Sequence, residues 1–202
     1  ISVDLIYGIP GMTEAEWRSN ICKAIELEVQ HISAYHLTVE EGTPLERARA
    51  RGEFTPGEET RSEAQYLLLH NMLTGAGYGH YEISNFARPG LRARHNSSYW
   101  RGEPYLGIGP AAHSFDGTRR RSFPRSLEMY LGGCEGNYIT ETLTPADRFN
   151  EYVMTRLRTA EGIDREELGR SFGAVAVESF MAQAEKHIAS GSLVCGDGRI
   201  FI

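Results

Sequence analysis

Ser2-Val3-Asp4-Leu5-Ile6-Tyr7-Gly8-Ile9-Pro10-Gly11-Met12-Thr13-Glu14-Ala15-Glu16-Trp17 is the stretch that decides the fold. Val3, Leu5 and Tyr7 alternate with Ser2, Asp4, Ile6 and Gly8, the period-two pattern of a strand with two unlike faces. Gly8-Ile9-Pro10-Gly11 is a turn, and Thr13 with Glu16 forms a capping box that opens a helix. Trp17, Ile21 and Ile25 recur every four residues and give that helix an apolar stripe. His31 to Val39 reads as a second strand. Strand, helix and strand in succession make a βαβ unit, which demands parallel pairing.

The alternation assigns directions. A helix laid over the pair takes the Val3, Leu5 and Tyr7 face, so Asp4 and Ile6 turn the other way. In an α/β barrel the other way is the interior. A carboxylate there needs a hydrogen-bonding partner, either a ligand or an Arg or Lys of a neighbouring strand. The same reasoning places His36 and Thr38 on the corresponding face of the second strand.

Further along, Glu41-Gly42-Thr43-Pro44 breaks the second strand into a loop. Thr55-Pro56-Gly57-Glu58 combines a cap, a first-turn proline and an acidic residue, a helix start. Ala64, Leu67, Leu68, Asn71 and Met72 carry this helix until Gly75 and Gly77 end it. Tyr78 to Phe86, Leu91 to Trp100 and Tyr105 to Phe115 read as strands. Asp116-Gly117 turns the last of these into Thr118 to Phe123, so this middle region is antiparallel or mixed. Thr144-Pro145-Ala146-Asp147 opens a helix bearing Phe149, Tyr152, Val153 and Leu157. Asp164 caps a short helix through Leu168, Ala174 to Ser190 is a third, and Gly196-Asp197-Gly198 turns a terminal hairpin. Three helices and a hairpin are the parts of a winged helix. The expected division is residues 1–125 for the α/β part with its extension and 126–202 for a small α+β, winged-helix-like domain.

Of 202 residues, 41% are hydrophobic and 24% charged, with net charge −6. That balance disfavours a general nucleic-acid-binding surface. Arg119-Arg120-Arg121 is a local basic tract, read as a solvated hairpin rim. The helix at Ala174 to Ser190 carries Glu178 and Glu185 beside Lys186 and His187, poor material for phosphate contacts. The expectation is therefore no nucleic-acid partner, with a DNA-reading winged helix as the competing binding-module hypothesis. The three cysteines, Cys22, Cys134 and Cys195, form no CxxC pair, so no zinc or iron–sulfur motif is present. An odd cysteine count fits a reducing cytosol. No apolar run approaches a membrane span, so membrane contact is expected only through an acceptor.

Arg94-His95-Asn96-Ser97-Ser98-Tyr99-Trp100, followed by Tyr105-Leu106-Gly107-Ile108-Gly109, sets an imidazole beside an amide, large aromatics and glycines. Imidazole is an axial donor to haem iron, and aromatic walls suit a porphyrin face. The plainer alternative is a hydrogen-bonded loop histidine with Tyr99 and Trp100 filling a core. His113 is a second candidate beside a porphyrin, and Glu82 a candidate cavity-lining group. Cys22, His70 and His80 read as structural.

Taken in order, Val3 to Gly11, His31 to Tyr35, Gly42-Thr43-Pro44, Tyr81 to Ala87, His95 to Trp100 and Tyr105 to Gly109 resemble the oxygen-independent coproporphyrinogen III oxidase family. Met154 to Arg158 fits as well, and the HNxxYW element is most similar to the haem-chaperone (HemW) branch. The resemblance implies the C-terminal part of a radical S-adenosylmethionine (SAM) partial (β/α) barrel, a mixed-sheet extension and the winged-helix-like domain. By position it implies that Asp4, Ile6 and Thr38 contact SAM. It also implies that His95, with Tyr99 and Trp100, binds haem, His95 being the ligand to haem iron. The family's [4Fe–4S] cluster sits on a CxxxCxxC loop that this sequence does not contain. The chain alone is then expected to be a fragment without radical chemistry, whatever its parent does. Two activities follow for the parent: holding haem and passing it to an acceptor protein, or anaerobic oxidative decarboxylation of coproporphyrinogen III in porphyrin biosynthesis.

Overall fold

β1 (Ser2–Tyr7) and β2 (His31–His36) pair in parallel, with Asp4 beside Ser33 and Ile6 beside Tyr35. They are joined by α1 (Glu14–Glu26), whose first turn is held by the reciprocal Thr13–Glu16 capping box. The computed structural model describes residues 1–55, 59–133 and 138–202. Most of the expected helix start at Thr55 to Glu58, and Cys134, lie outside the described residues. Two compact units emerge, Ile1–Ala93 and Arg94–Ile202. The expected division after residue 125 falls inside the second of them.

In the first unit, α2 (Pro44–Ala50) and α3 (Glu59–Gly75) precede a tight hairpin of β3 (Gly79–Glu82) and β4 (Asn85–Ala87). The sheet order is β1-β2-β4-β3, with β4 antiparallel to both neighbours. This is a mixed sheet that does not close on itself. α1 and α3 both pack on β1. Trp17, Ile21, Ile32, Leu69, Leu73 and Phe86 are fully buried between helices and sheet, and Val3, Leu5 and Tyr7 pack against them. Burying each such side chain stabilises the fold by roughly 1.5–3 kcal/mol.

Several expectations need correction. β2 pairs Tyr7 with His36, so His36 points to the helix side, where it meets Ser62 at 3.1 Å and the Tyr7 ring edge-on. Tyr35, not His36, shares the Asp4 face. Thr38 is exposed two residues beyond the strand. The cause is parity: a one-residue error in phase moves a whole strand's side chains to the other face. Thr43-Pro44 does not simply begin a loop; Thr43 caps α2. α3 buries Ser62, Gln65, Leu69 and Leu73, with Leu68 and Met72 packed against the same core, whereas Leu67 is exposed. Gln65 explains the choice. Its side-chain oxygen accepts the Gly8 N–H at 2.8 Å, and its backbone carbonyl accepts the Trp17 indole N–H at 2.9 Å. One residue thus ties α3 to both ends of the β1–α1 turn.

The second unit begins with α4 (Arg94–Trp100), where a strand was expected. β-prone aromatics suggest strand, but on the helix Tyr99 meets His95 and Tyr105 while Trp100 meets Arg158, and packing overrides propensity. The Ser98 hydroxyl donates to the Arg94 carbonyl at 3.0 Å, a one-turn contact only a helix allows. Of the expected strand Tyr105 to Phe115, only β5 (His113–Phe115) forms, with a lone bridge from Tyr105 to Phe115. Leu106 and Ile108 between them are each 79% exposed, and Ala111 has φ 60°, incompatible with a continuous strand. β6 (Arg119–Ser122), α5 (Leu127–Leu131) and β7 (Ile139–Thr142) complete a β5-β6-β7 sheet.

α6 (Pro145–Leu157), β8 (Ile163–Asp164), α7 (Arg165–Phe172), α8 (Ala174–Ala189), β9 (Val194–Gly196) and β10 (Arg199–Phe201) then form the winged-helix order, with sheet β8-β10-β9. Local chemistry sets these boundaries. Thr144 and Asp147 make a capping box, and Asp164 accepts from the Glu166 and Glu167 N–H groups. Ile163, Leu168, Phe180, Ala184 and Ile200 form its core, flanked by Phe149, Tyr152, Val153 and Leu157.

Two outcomes are expected of the first unit. Gln65→Leu strands the buried Gly8 N–H and should lower unfolding free energy by about 1–3 kcal/mol in urea titrations; no change would show that the tie is dispensable. Burial, reinforced by neighbouring His70, holds His80 below the ordinary histidine range. Its depressed folded-state value means that the unfolded chain takes up protons first as pH falls. The stability it contributes is full above the ordinary histidine value and lost as pH drops through the folded one. Urea midpoints should therefore fall from pH 7 to 5.5, and less steeply in His80→Gln.

Candidate functional sites

On the sheet face opposite α1 and α3, the register aligns a polar row across all four strands. Asp4 is beside Ser33, Ser33 beside Asn85, and Asn85 beside Glu82. Ser33, Asn85 and Glu82 are buried, and the Asn85 amide donates to the Glu82 carboxylate. Asp4 is exposed at the end of the row, and its carboxylate accepts no hydrogen bond among the described residues. One step along, Ile6 and Tyr35 are paired and both substantially exposed. One step back, His31 bridges the Ser2 hydroxyl and the Tyr81 hydroxyl, each at 2.8 Å. Burial lowers the His31 pKa, partly opposed by the Asp4 charge. The face therefore offers an accepting carboxylate next to an apolar pair. Such a pair of features suits a nucleoside's hydroxyl or amino groups and its flat base. Thr38 is not part of this row.

In the second unit, His95 and Tyr99 are one turn apart on α4, their rings edge-on at 4.8 Å. Tyr99 in turn meets Tyr105 edge-on at 4.7 Å. The imidazole of His95 is exposed. Trp100 points elsewhere on the helix: the Arg158 guanidinium covers its ring at 5.1 Å. Its buried indole N–H has no acceptor among the described residues, an unusual state for a buried donor.

Tyr99 and Trp100 form one wall of a cleft of about 490 Å³, which Tyr105, Phe115, Tyr152 and Phe172 also line. Burial and then the Glu167 charge push the Tyr152 hydroxyl up to about 12, so it stays neutral. Arg120 is held by both oxygens of Glu151 at 3.0 Å. This cleft was invisible to sequence reasoning. Its lining comes from residues 99 to 172, and only the Tyr99-Trp100 pair was legible beforehand. His113 lies on β5 and does not line it.

Cys22 lies on α1 and Cys195 on β9, in different units. No group of three metal-ligating residues occurs among the described residues. Among the same residues, no helix is long and apolar enough to cross a membrane.

No family model matches the chain. Relatives do. The haem chaperone HemW of Synechocystis sp. is 37% identical over 170 residues, covering 80% of this chain and 41% of the relative. The haem chaperone HemW of Mycobacterium tuberculosis is 34% identical over 173 residues, covering 84% and 44%. The chain thus spans less than half the length of these two curated relatives. Among solved structures, the coproporphyrinogen III oxidase HemN of Escherichia coli, described as a radical SAM enzyme, superposes with TM-score 0.73. It does so at 19% identity, over 98% of this chain and 50% of that one. The fold expected from sequence, α/β with a mixed extension and a small α+β module, is therefore that of the oxidase's matched half.

Gly107 tests how tightly the loop beside Tyr105 is built. Its N–H donates to the Ser114 hydroxyl at 3.0 Å, and an added Cβ would sit 2.0 Å from the His113 carbonyl oxygen. Gly107→Ala should cost about 1–3 kcal/mol by overpacking and lower the melting temperature in near-ultraviolet circular dichroism. An unchanged melt would show that the loop yields freely.

Proposed function

This chain belongs to the HemN/HemW-like radical SAM family, and we propose that it supplies SAM-contacting and haem-binding residues of a haem chaperone. The observation that carries the haem part is the exposed His95 imidazole set edge-on against Tyr99 one helical turn away, with Tyr99 lining an aromatic cleft. Neutral imidazole is a haem-iron ligand, and the neighbouring aromatic surface suits a macrocycle that is flat and mostly apolar. Haem is here cargo, held for delivery to an acceptor protein. The chaperone reading is preferred to oxidative decarboxylation of coproporphyrinogen III because the relatives at 37% and 34% identity are named haem chaperones. The oxidase is matched at only 19%.

For SAM, the open sheet face supplies the contacts. Asp4 has free acceptor capacity for ribose hydroxyls or the adenine amino group, and Ile6 beside Tyr35 supplies an apolar bed for the base. SAM bound to a cluster is the family's source of radical chemistry. This sequence holds no CxxxCxxC loop, so the role given to these residues is to bind and orient.

Haemin added to the chain should give a shifted Soret band, and His95→Ala should abolish that shift. A shift unchanged in the variant would remove His95 from the site, and no shift in the native chain would remove the haem reading.

A further inference from the structure

We propose that the cleft between α4, the β5–β6 hairpin and α6 seats the tetrapyrrole ring itself, and that Arg148 captures one of its carboxylates. The proposal rests on the haem-binding reading and extends it from the iron to the ring and its acidic edge. The cleft's volume of about 490 Å³ falls among small-molecule sites.

The charges single out one residue. Three arginines line the cleft, with two glutamates. Arg101 is paired with Glu103 at 2.8 Å, and Arg120 with both oxygens of Glu151. Both glutamates are therefore spent. The Arg148 guanidinium has no hydrogen-bond or ion-pair partner among the described residues, which makes it the uncommitted cation of the cleft. It also sits in a consistent place. Arg148, Glu151, Tyr152 and Thr155 follow the i, i+3, i+4, i+7 spacing of one helix face. Arg148 thus stands one turn before the Arg120–Glu151 pair on the surface of α6. A planar guanidinium binds a carboxylate through two parallel N–H bonds. The ligand that satisfies this set is flat, apolar over most of its area and acidic at one edge, and a porphyrin with propionate arms has that chemistry. On α4, His95 precedes the Tyr99 wall by one turn, so the iron-facing and acid-facing groups come from two different helices.

Metal-free protoporphyrin IX separates the ring from the iron. Its fluorescence should report binding to the chain about tenfold tighter than that of its dimethyl ester, which keeps the ring and loses both charges. Arg148→Gln should weaken the free acid about tenfold and leave the ester unchanged. Arg148→Lys should recover part of the loss, because charge returns without the fork. Equal affinity for acid and ester, or equal weakening of both by Arg148→Gln, would overturn the proposal while leaving the haemin Soret result to stand by itself. Conversely, acid-selective porphyrin binding lost in Arg148→Gln, with no haemin shift, would keep the cleft and remove the iron ligand.

Discussion

The first unit depends on one constraint: a parallel strand pair has two faces, and helices can cover the apolar one only if every residue keeps its parity. Val3, Leu5, Tyr7, Ile32 and Ala34 meet α1 and α3 on one side. Asp4, Ser33, Asn85 and Glu82 are then forced into line on the other. Nothing about the polar row has to be specified separately; it is the complement of the core. The Asn85 amide donates to the Glu82 carboxylate there, which offsets part of the cost of burying the row. Gln65 fixes the turn that ends β1, and with it the point at which the Asp4 face gives way to the loop.

The second unit works by a different logic. Its core is small and helical, and α6 serves two faces at once. Val153 and Leu157 pack toward Ile163 and Phe180, whereas Arg148, Glu151 and Thr155 border the cleft. Tyr152 serves both, and burial there, with the Glu167 charge, raises its hydroxyl pKa. The ionic pair Arg120–Glu151 ties β6 to α6 across that cleft. A paired charge there costs less than an isolated one, and the pairing leaves Arg148 as the group with capacity for an outside anion.

Legibility in the sequence followed the range of the determining interaction. The Thr13–Glu16 capping box, the Thr144–Asp147 helix start and the Asp164 cap are each set within four residues, and they stand out in the sequence. So does the winged-helix order, whose turns are marked by Gly162, Gly191 and Gly198. Face assignment on β1 was also legible, because Asp4 interrupts a clear alternation. On β2 it slipped by one residue: His31-Ile32-Ser33-Ala34-Tyr35-His36 is nearly featureless in polarity, and only pairing with β1 reveals its phase. α4 is not legible locally, because Tyr99 and Trp100 favour strands and the contacts that Tyr99 makes with Tyr105 and Trp100 with Arg158 are tertiary. The Leu106 to Ala111 stretch deceived for a related reason, since a backbone turn at Ala111 cannot be inferred from an alanine. The cleft lies at the far end of this scale: it is assembled from segments some seventy positions apart and from which arginines already have partners.

The chain holds two tryptophans, and the fold gives one to each unit. Trp17 is wholly enclosed, its indole bonded to the Gln65 carbonyl, whereas Trp100 sits under the Arg158 guanidinium and lines the cleft. Nature has thereby installed an optical label in each half. Replacing either indole with phenylalanine leaves a single tryptophan emitter, so that melting of the sheet unit and of the winged unit becomes separately visible by selective tryptophan excitation.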